Sequence, residues 1–218
     1  MQALLGGKIL ELPYYHLMET ELDRIPIVVT RTGWSGEVGY EIYLRDGSRG
    51  ERLWEKIMEA GRPYQIAPIA PSEIRRIEAG ILNYGADMTL QENPYEVGLG
   101  WLVDLDKDAD FIGKGALRRI KAEGVRRKLV GIQIEGERVP GHGHNLERWA
   151  VCVDGKRAGD VVDAIYSPRL EKNIGYAMLP IEHAGLGTAL SIEMLGQKRS
   201  ANVVRKPFID PDKEIPNA

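Results

Sequence analysis

A glycine-rich stretch between two runs of strand-forming residues constrains the fold of this chain more than any other feature. Residues 31–43 read Arg-Thr-Gly-Trp-Ser-Gly-Glu-Val-Gly-Tyr-Glu-Ile-Tyr, and the preceding residues 25–30 are mostly apolar and β-branched. Apolar and polar residues alternate again over residues 40–44. This pattern predicts a strand, a turn and a second strand, because glycine allows the positive φ angles that tight turns need.

The same stretch carries side chains that suit a flat, nitrogen-rich heterocycle. Trp34 offers an aromatic face, and Glu41 offers a carboxylate that accepts hydrogen bonds from ring N–H and amino groups. Glu37 is equally acidic, and we expect it to be only a turn carboxylate. A β-hairpin whose aromatic side chains belong to the core explains these residues as well, so the stretch alone leaves both interpretations open.

The composition is that of an ordinary globular protein and argues against several classes. The 218 residues suffice for one large or two small domains, with 43% hydrophobic and 28% charged residues. A formal net charge of -3 gives no electrostatic reason to expect nucleic acid or a membrane surface as a partner. Because Cys152 is the single cysteine, an internal disulfide is impossible and we expect a cytoplasmic location.

The first part of the chain mixes helix and strand signals. Helices are predicted over residues 51–60, 73–79 and 114–122, because apolar side chains recur there at helical spacing and serine or glycine residues stand at the ends. An apolar run at residues 101–103 predicts a further strand.

From residue 126 the pattern changes to short strand candidates separated by glycine, proline and asparagine. These candidates cover residues 128–135, 150–153, 157–165, 174–178 and 189–194. Their number and the absence of helical periodicity predict a small β-barrel or sandwich. The chain is therefore divided into an α+β domain over residues 1–125, a β domain over residues 126–210 and a disordered tail over residues 211–218.

No metal site is predicted. His142 and His144 stand close together, but no further ligands follow at a usable spacing, so a surface loop explains them better. The single cysteine also excludes a cysteine–histidine zinc cluster.

Six segments form an ordered set of motifs. Residues 76–85 read Arg-Ile-Glu-Ala-Gly-Ile-Leu-Asn-Tyr-Gly. Shorter motifs follow at residues 94–101, 110–114, 127–131 and 166–168. Together with residues 31–43, these segments resemble the glycine cleavage T-protein (aminomethyltransferase) family, whose members carry Arg-Thr-Gly-Tyr-Thr-Gly-Glu-x-Gly-Phe-Glu-Ile and Arg-Leu-Glu-Ala-Gly-x-x-x-Tyr-Gly. The resemblance covers nearly the whole chain and implies an α+β fold, a T-protein-like mixed α/β domain followed by a small C-terminal β-barrel or sandwich.

The resemblance also implies a cofactor and a set of site residues. In this family a one-carbon unit passes from a small substrate to N5 of tetrahydrofolate. Glu41 matches the glutamate that hydrogen-bonds the amino-pyrimidine edge of the pterin, and Trp34 matches the aromatic residue at the site wall.

Three further residues are candidates for the cofactor site. Arg75 and Arg76 are each suited to a carboxylate on folate or on the substrate. Tyr84, together with Asp87, lies in a polar, glycine-bearing loop of the kind that lines binding sites. For Arg76, an ion pair with a helix neighbour such as Glu73 is the alternative.

The chain departs from the family pattern in ways that bear on function. The family is usually longer, and we expect its N-terminal third, with the catalytic aspartate, to be missing. No catalytic residue is therefore assigned, and the missing part is a candidate partner as a separate chain. Ser72 stands where T-proteins carry an arginine, and this and Trp34 favour the folate-dependent demethylase branch, such as dimethylsulfoniopropionate demethylase.

The predicted function is therefore transfer of a methyl group from a small-molecule donor to tetrahydrofolate. Two alternatives stay open. One is the aminomethyl transfer of the glycine cleavage T-proteins, and the other is a non-catalytic folate-binding fragment or half of a split enzyme.

Overall fold

The computed structural model describes residues 1–140 and 148–218. His142 and His144 lie outside the described residues. The chain forms two compact units, one made of Met1–Arg75 with Asp212–Ala218 and the other of Arg76–Pro211. Residues 76–125 belong to the same unit as the barrel that follows them. The domain boundary near residue 125 remains a prediction.

The first unit is built on a three-stranded antiparallel sheet in the order β1-β2-β3. Its strands are β1 (Leu17–Leu22), β2 (Ile25–Thr30) and β3 (Glu41–Leu44). Ile25, Ile27 and Val29 are buried on one face of the sheet, since side chains alternate between faces along a strand. They pack in one cluster with Ile9, Leu12 and Leu53. The predicted strand, turn and strand are confirmed, whereas β1 was not predicted.

The three predicted helices are present to within one residue at each end. In chain order, the helices of the described residues are α1 (Gln2–Leu5), α2 (Gly50–Gly61), α3 (Glu73–Glu78), α4 (Pro94–Val97), α5 (Lys114–Glu123) and α6 (Glu214–Asn217). None of the helices in the described part of the chain is long and apolar enough to cross a membrane.

The tail, for which disorder is predicted over residues 211–218, lies within the described residues. Arg31 is buried, and its guanidinium donates hydrogen bonds to the carbonyl oxygens of Leu12 (3.2 Å) and Pro216 (3.1 Å). A buried guanidinium needs acceptors, and the tail supplies two of them from its backbone, the carbonyl oxygens of Pro216 and Ala218. Residues Glu214–Asn217 accordingly form a short helix with Pro216 buried.

The second unit contains a closed six-stranded antiparallel barrel in the order β4-β7-β6-β5-β8-β9. The strands are β4 (Arg127–Ile134), β5 (Ala150–Val153), β6 (Lys156–Ser167), β7 (Lys172–Pro180), β8 (Ala189–Met194) and β9 (Gln197–Val204). The predicted α+β fold with a C-terminal β-barrel is thus confirmed. The sequence analysis missed β9, because its first half is polar and only Ala201 and Val203 are buried.

The strand predicted at residues 101–103 is wrong. Gly100–Leu102 form a single 3-10 turn, in which the amide of Val103 donates to the carbonyl of Gly100 (3.1 Å). Trp101 and Leu102 are 67% and 61% exposed, so the apolar run does not enter a core. Gly98, with a φ of 83°, ends α4 immediately before this turn.

Candidate functional site

The predicted pterin ligand Glu41 lies at the start of β3, directly opposite Thr30 at the end of β2. Both side chains are on the sheet face opposite the buried core, and Glu41 is exposed. Tyr43 follows on the same face and is 53% exposed. This face therefore presents a carboxylate and an aromatic ring next to each other.

Three hydroxyl groups reach one oxygen of the Glu41 carboxylate. The hydroxyl of Thr32 donates a hydrogen bond to Oε2. The hydroxyls of Thr30 and Tyr43 lie 3.5 Å and 3.4 Å from the same oxygen. The two threonine hydroxyls are in turn 2.6 Å apart. Among the described residues, no hydrogen bond reaches Oε1, so one carboxylate oxygen remains open to a donor from a ligand.

The loop between β2 and β3 returns close to its own beginning. Gly36 has a φ of 69°, in the left-handed region that favours glycine. A Cβ atom on Gly39 would lie 3.3 Å from the carbonyl oxygen of Thr32, which is closer than most side-chain contacts. The glycines of the predicted turn thus let the chain pass over Thr32 and enter β3 beside it.

Two more of the predicted site residues are associated with this loop. Trp34 lies within the loop and is half-buried. Arg75 is exposed, and its guanidinium lies 3.7 Å from the carboxylate of Glu37. Ser72 accepts a hydrogen bond from the amide of Arg75 (3.3 Å), as expected of a residue that caps α3. Glu37 is therefore more than a turn carboxylate, because it pairs with Arg75.

The structure gives Arg76 a different environment from the one predicted. Its side chain is fully buried, and its guanidinium binds the carboxylates of Asp87 and Asp163, the latter at 2.7 Å. It also donates to the carbonyl oxygen of Ile81 (3.0 Å). These two ion pairs join Arg76 to residues far along the chain. The alternative of a pair with Glu73 remains a prediction. We leave Arg76 out of the proposed folate site, because these acceptors occupy its guanidinium inside the second unit.

Tyr84 and Asp87 lie in a tight loop of the second unit, where one side chain is exposed and the other is buried. Asp87 is buried and accepts a hydrogen bond from the amide of Asn83 (2.7 Å). The amide of Gly85 donates to the carbonyl of Met88 (2.8 Å), which closes the loop. Tyr84 is left 61% exposed at its tip. Its assignment to the cofactor site remains a prediction.

The buried cluster around Arg76 contains perturbed acids and bases that the sequence analysis did not single out. Burial raises the pKa of Asp163 to about 6, the charge of Asp87 adds to this effect, and Arg76 opposes it. Burial also lowers the pKa of Lys206 to about 8, and its ammonium donates to the carbonyl of Val97 (3.3 Å). One signal was available in the sequence, because Asp163 interrupts the apolar run of β6.

The domain family described as the GCVT N-terminal domain matches residues 1–107. The glycine cleavage T-protein C-terminal barrel domain matches residues 127–210. An aminomethyltransferase of Symbiobacterium thermophilum is 38% identical over 213 residues, which are 95% of this chain and 55% of that protein. An aminomethyltransferase of Bacillus subtilis is 34% identical over 198 residues, 90% of this chain and 53% of that protein.

A solved structure is also similar to this chain. It is the crystal structure of glycine cleavage system aminomethyltransferase T from Bartonella henselae, with a TM-score of 0.74 and 24% sequence identity. The similarity covers 92% of this chain and 54% of that one, and it supports the fold alone. This chain spans about half the length of the relatives that it matches.

Proposed function

The chain belongs to the glycine cleavage T-protein family, and from this membership we propose that it takes part in tetrahydrofolate-dependent one-carbon transfer. Its relatives are named aminomethyltransferases. These names favour aminomethyl transfer, the first alternative considered above, over the methyl transfer of the demethylase branch. The proposed reaction releases ammonia from a carrier-bound aminomethyl group and passes the carbon to tetrahydrofolate.

The observation that carries the proposal is the environment of Glu41. The amino-pyrimidine edge of a pterin presents N–H and amino donors, and an ionised carboxylate is an acceptor only. Glu41 is exposed and accepts a hydrogen bond on Oε2 from Thr32, while Oε1 accepts none from the described residues. Trp34 lies in the loop that leads to it and is half-buried, as a ring that forms part of a site wall would be. The chemistry of these two side chains fits the pterin.

The proposed task of the chain is to bind and orient its ligand. Tetrahydrofolate supplies the nucleophilic nitrogen N5 when it is bound. Glu41 fixes the pterin edge, Trp34 covers a ring face, and Arg75 is placed for a carboxylate of the folate tail. Positioning two reactants in a productive geometry lowers a barrier by roughly 7–11 kcal/mol in well-oriented cases. No residue of this chain is assigned to proton transfer.

Methyl transfer is the second candidate, and Ser72 favours it. T-proteins carry an arginine at this position, whereas here a serine caps α3 through the amide of Arg75. The site therefore lacks a cation that the aminomethyltransferase pattern includes.

Product analysis tests the proposal and separates its branches. The purified chain is incubated with tetrahydrofolate and either an aminomethylated lipoyl protein or dimethylsulfoniopropionate. Ammonia release that depends on tetrahydrofolate supports aminomethyl transfer, and N5-methylated folate formed from the sulfonium donor supports the demethylase branch. Binding of tetrahydrofolate without either product identifies a folate-binding module. If the chain binds no tetrahydrofolate in the presence of either donor, the proposal is contradicted.

A further inference from the structure

The hydroxyl groups beside Glu41 form a chain with a defined direction. An ionised carboxylate only accepts hydrogen bonds, so the hydroxyl proton of Thr32 goes to Oε2 of Glu41. A hydroxyl has a single proton, and the 2.6 Å contact between the two threonines must therefore use the proton of Thr30. The hydrogen bonds run from Thr30 through Thr32 to Glu41.

We propose that Thr32 is a positioning residue that orients the Glu41 carboxylate for its ligand. The inference rests on the proposed function, in which Glu41 binds the amino-pyrimidine edge of the pterin. An exposed glutamate on a strand samples several rotamers, and ordering it on binding costs affinity. Thr32 removes part of this cost because it holds Oε2 before the ligand arrives and leaves Oε1 for the ligand's donors.

Thr32 is better placed for this role than the other two hydroxyls. Thr30 and Tyr43 lie 3.5 Å and 3.4 Å from Oε2, at the outer limit of hydrogen bonding. Gly39 of the returning loop also lies near Thr32, where a Cβ atom would come within 3.3 Å of the carbonyl oxygen of Thr32.

Isothermal titration with 5-formyl-tetrahydrofolate tests the proposal on the full chain. Thr32→Val keeps the shape of the side chain and removes the hydroxyl, and we expect its Kd to rise about five- to tenfold. Thr32→Ser restores the hydroxyl and should bind within about twofold of the wild type. Thr20→Val, in β1 of the same sheet, is the matched control and should bind as the wild type does.

A double-mutant cycle distinguishes an effect of Thr32 through Glu41 from a nonspecific loss of binding. If Thr32 acts through Glu41, Thr32→Val should weaken binding no further in a Glu41→Ala background, which lacks the oxygen that accepts from Thr32. A similar loss in both backgrounds would contradict the proposal, and so would a Thr32→Ser variant as weak as Thr32→Val. Thr32→Ala gives the same comparison if Thr32→Val does not fold.

Failure of this inference is distinguishable from failure of the proposed function. Wild-type affinity in Thr32→Val together with weak binding in Glu41→Gln would overturn the role of Thr32 and leave Glu41 as the pterin ligand. Wild-type affinity in Glu41→Gln itself would overturn both.

Discussion

The guanidinium of Arg76 lies 2.7 Å from the carboxylate of Asp163, although 87 positions separate the two residues in the sequence. Both side chains are buried, and Asp87 binds the same guanidinium. Within the second unit, the guanidinium of Arg76 therefore links a loop to barrel strand β6 through one acid from each. A buried cation with two acids around it is costly to disturb.

Replacing Arg76 with methionine should destabilise the protein strongly. The change keeps much of the side-chain volume but leaves Asp87 and Asp163 buried without their cation, and breaking a buried pair in this way costs about 3–5 kcal/mol. Urea unfolding followed by circular dichroism measures the loss. Arg75→Met is the matched control, because Arg75 is exposed and its change should cost less than about 1 kcal/mol. Equal effects of the two changes would contradict the structural role of Arg76.

Asp163 should make the protein less stable as the pH rises from about 4 to about 7. Its pKa is raised from 3.8 to about 6 in the folded state, mainly by burial. The folded protein then binds a proton that the unfolded chain has lost over this range, so the contribution is present below pH 3.8 and disappears as the pH passes 6. Two pKa units correspond to up to about 3 kcal/mol.

The measurement is the free energy of unfolding of wild type and Asp163→Asn at several pH values. The difference between them should change with pH in the stated direction. Exposed acids such as Asp23 and Asp46, whose pKa values are lowered by hydrogen bonds from Arg52 and Ser48, contribute in the opposite direction. Both proteins contain them, so they cancel in the difference. A difference that is constant from pH 4 to 7 would contradict the shifted pKa of Asp163.

Gly175→Ala should destabilise the barrel. A Cβ atom at this position would lie 2.3 Å from the carbonyl oxygen of Asp163 and 2.8 Å from the Cα of Ala164. Both contacts are with backbone of the paired strand, which must move to relieve them, at a cost of about 1–3 kcal/mol or more. Thermal unfolding measures the effect. The control is Gly115→Ala in α5, where a Cβ atom meets nothing within 4 Å and alanine should stabilise the helix.

Local patterns were enough to predict most of the fold. Strand β2, the turn before β3 and the strands after residue 126 were predicted from residues close together in the sequence. The structure contains all of them. Errors arose where local pattern and burial disagree. The apolar residues 101–103 form an exposed turn, and the polar strand β9 closes the barrel because its alternate residues Ala201 and Val203 are buried.

The residues of the proposed site could be named from the sequence, but their contacts could not. Glu41 and Trp34 were named from the motif around them, and their assignment to the cofactor remains a prediction. The contact between Thr32 and Glu41 depends on how the loop returns before β3 begins. Arg76 was named as a candidate because a guanidinium suits a carboxylate of folate or of the substrate. Its contact with Asp163, 87 positions away, could not be seen in the sequence. A contact between residues so far apart in the sequence cannot be predicted from the local sequence pattern.

The affinity of the chain for 5-formyl-tetrahydrofolate, measured by isothermal titration in Glu41→Gln and Glu21→Gln, tests the central claim most directly. A hydrogen bond to a charged group contributes about 1.5–3 kcal/mol, so Glu41→Gln should weaken binding by about ten- to a hundredfold. Glu21→Gln removes an exposed carboxylate from β1 of the same sheet and should bind within about twofold of the wild type. Unchanged affinity in Glu41→Gln, with the variant folded as judged by circular dichroism, would contradict the assignment of Glu41 as the pterin ligand.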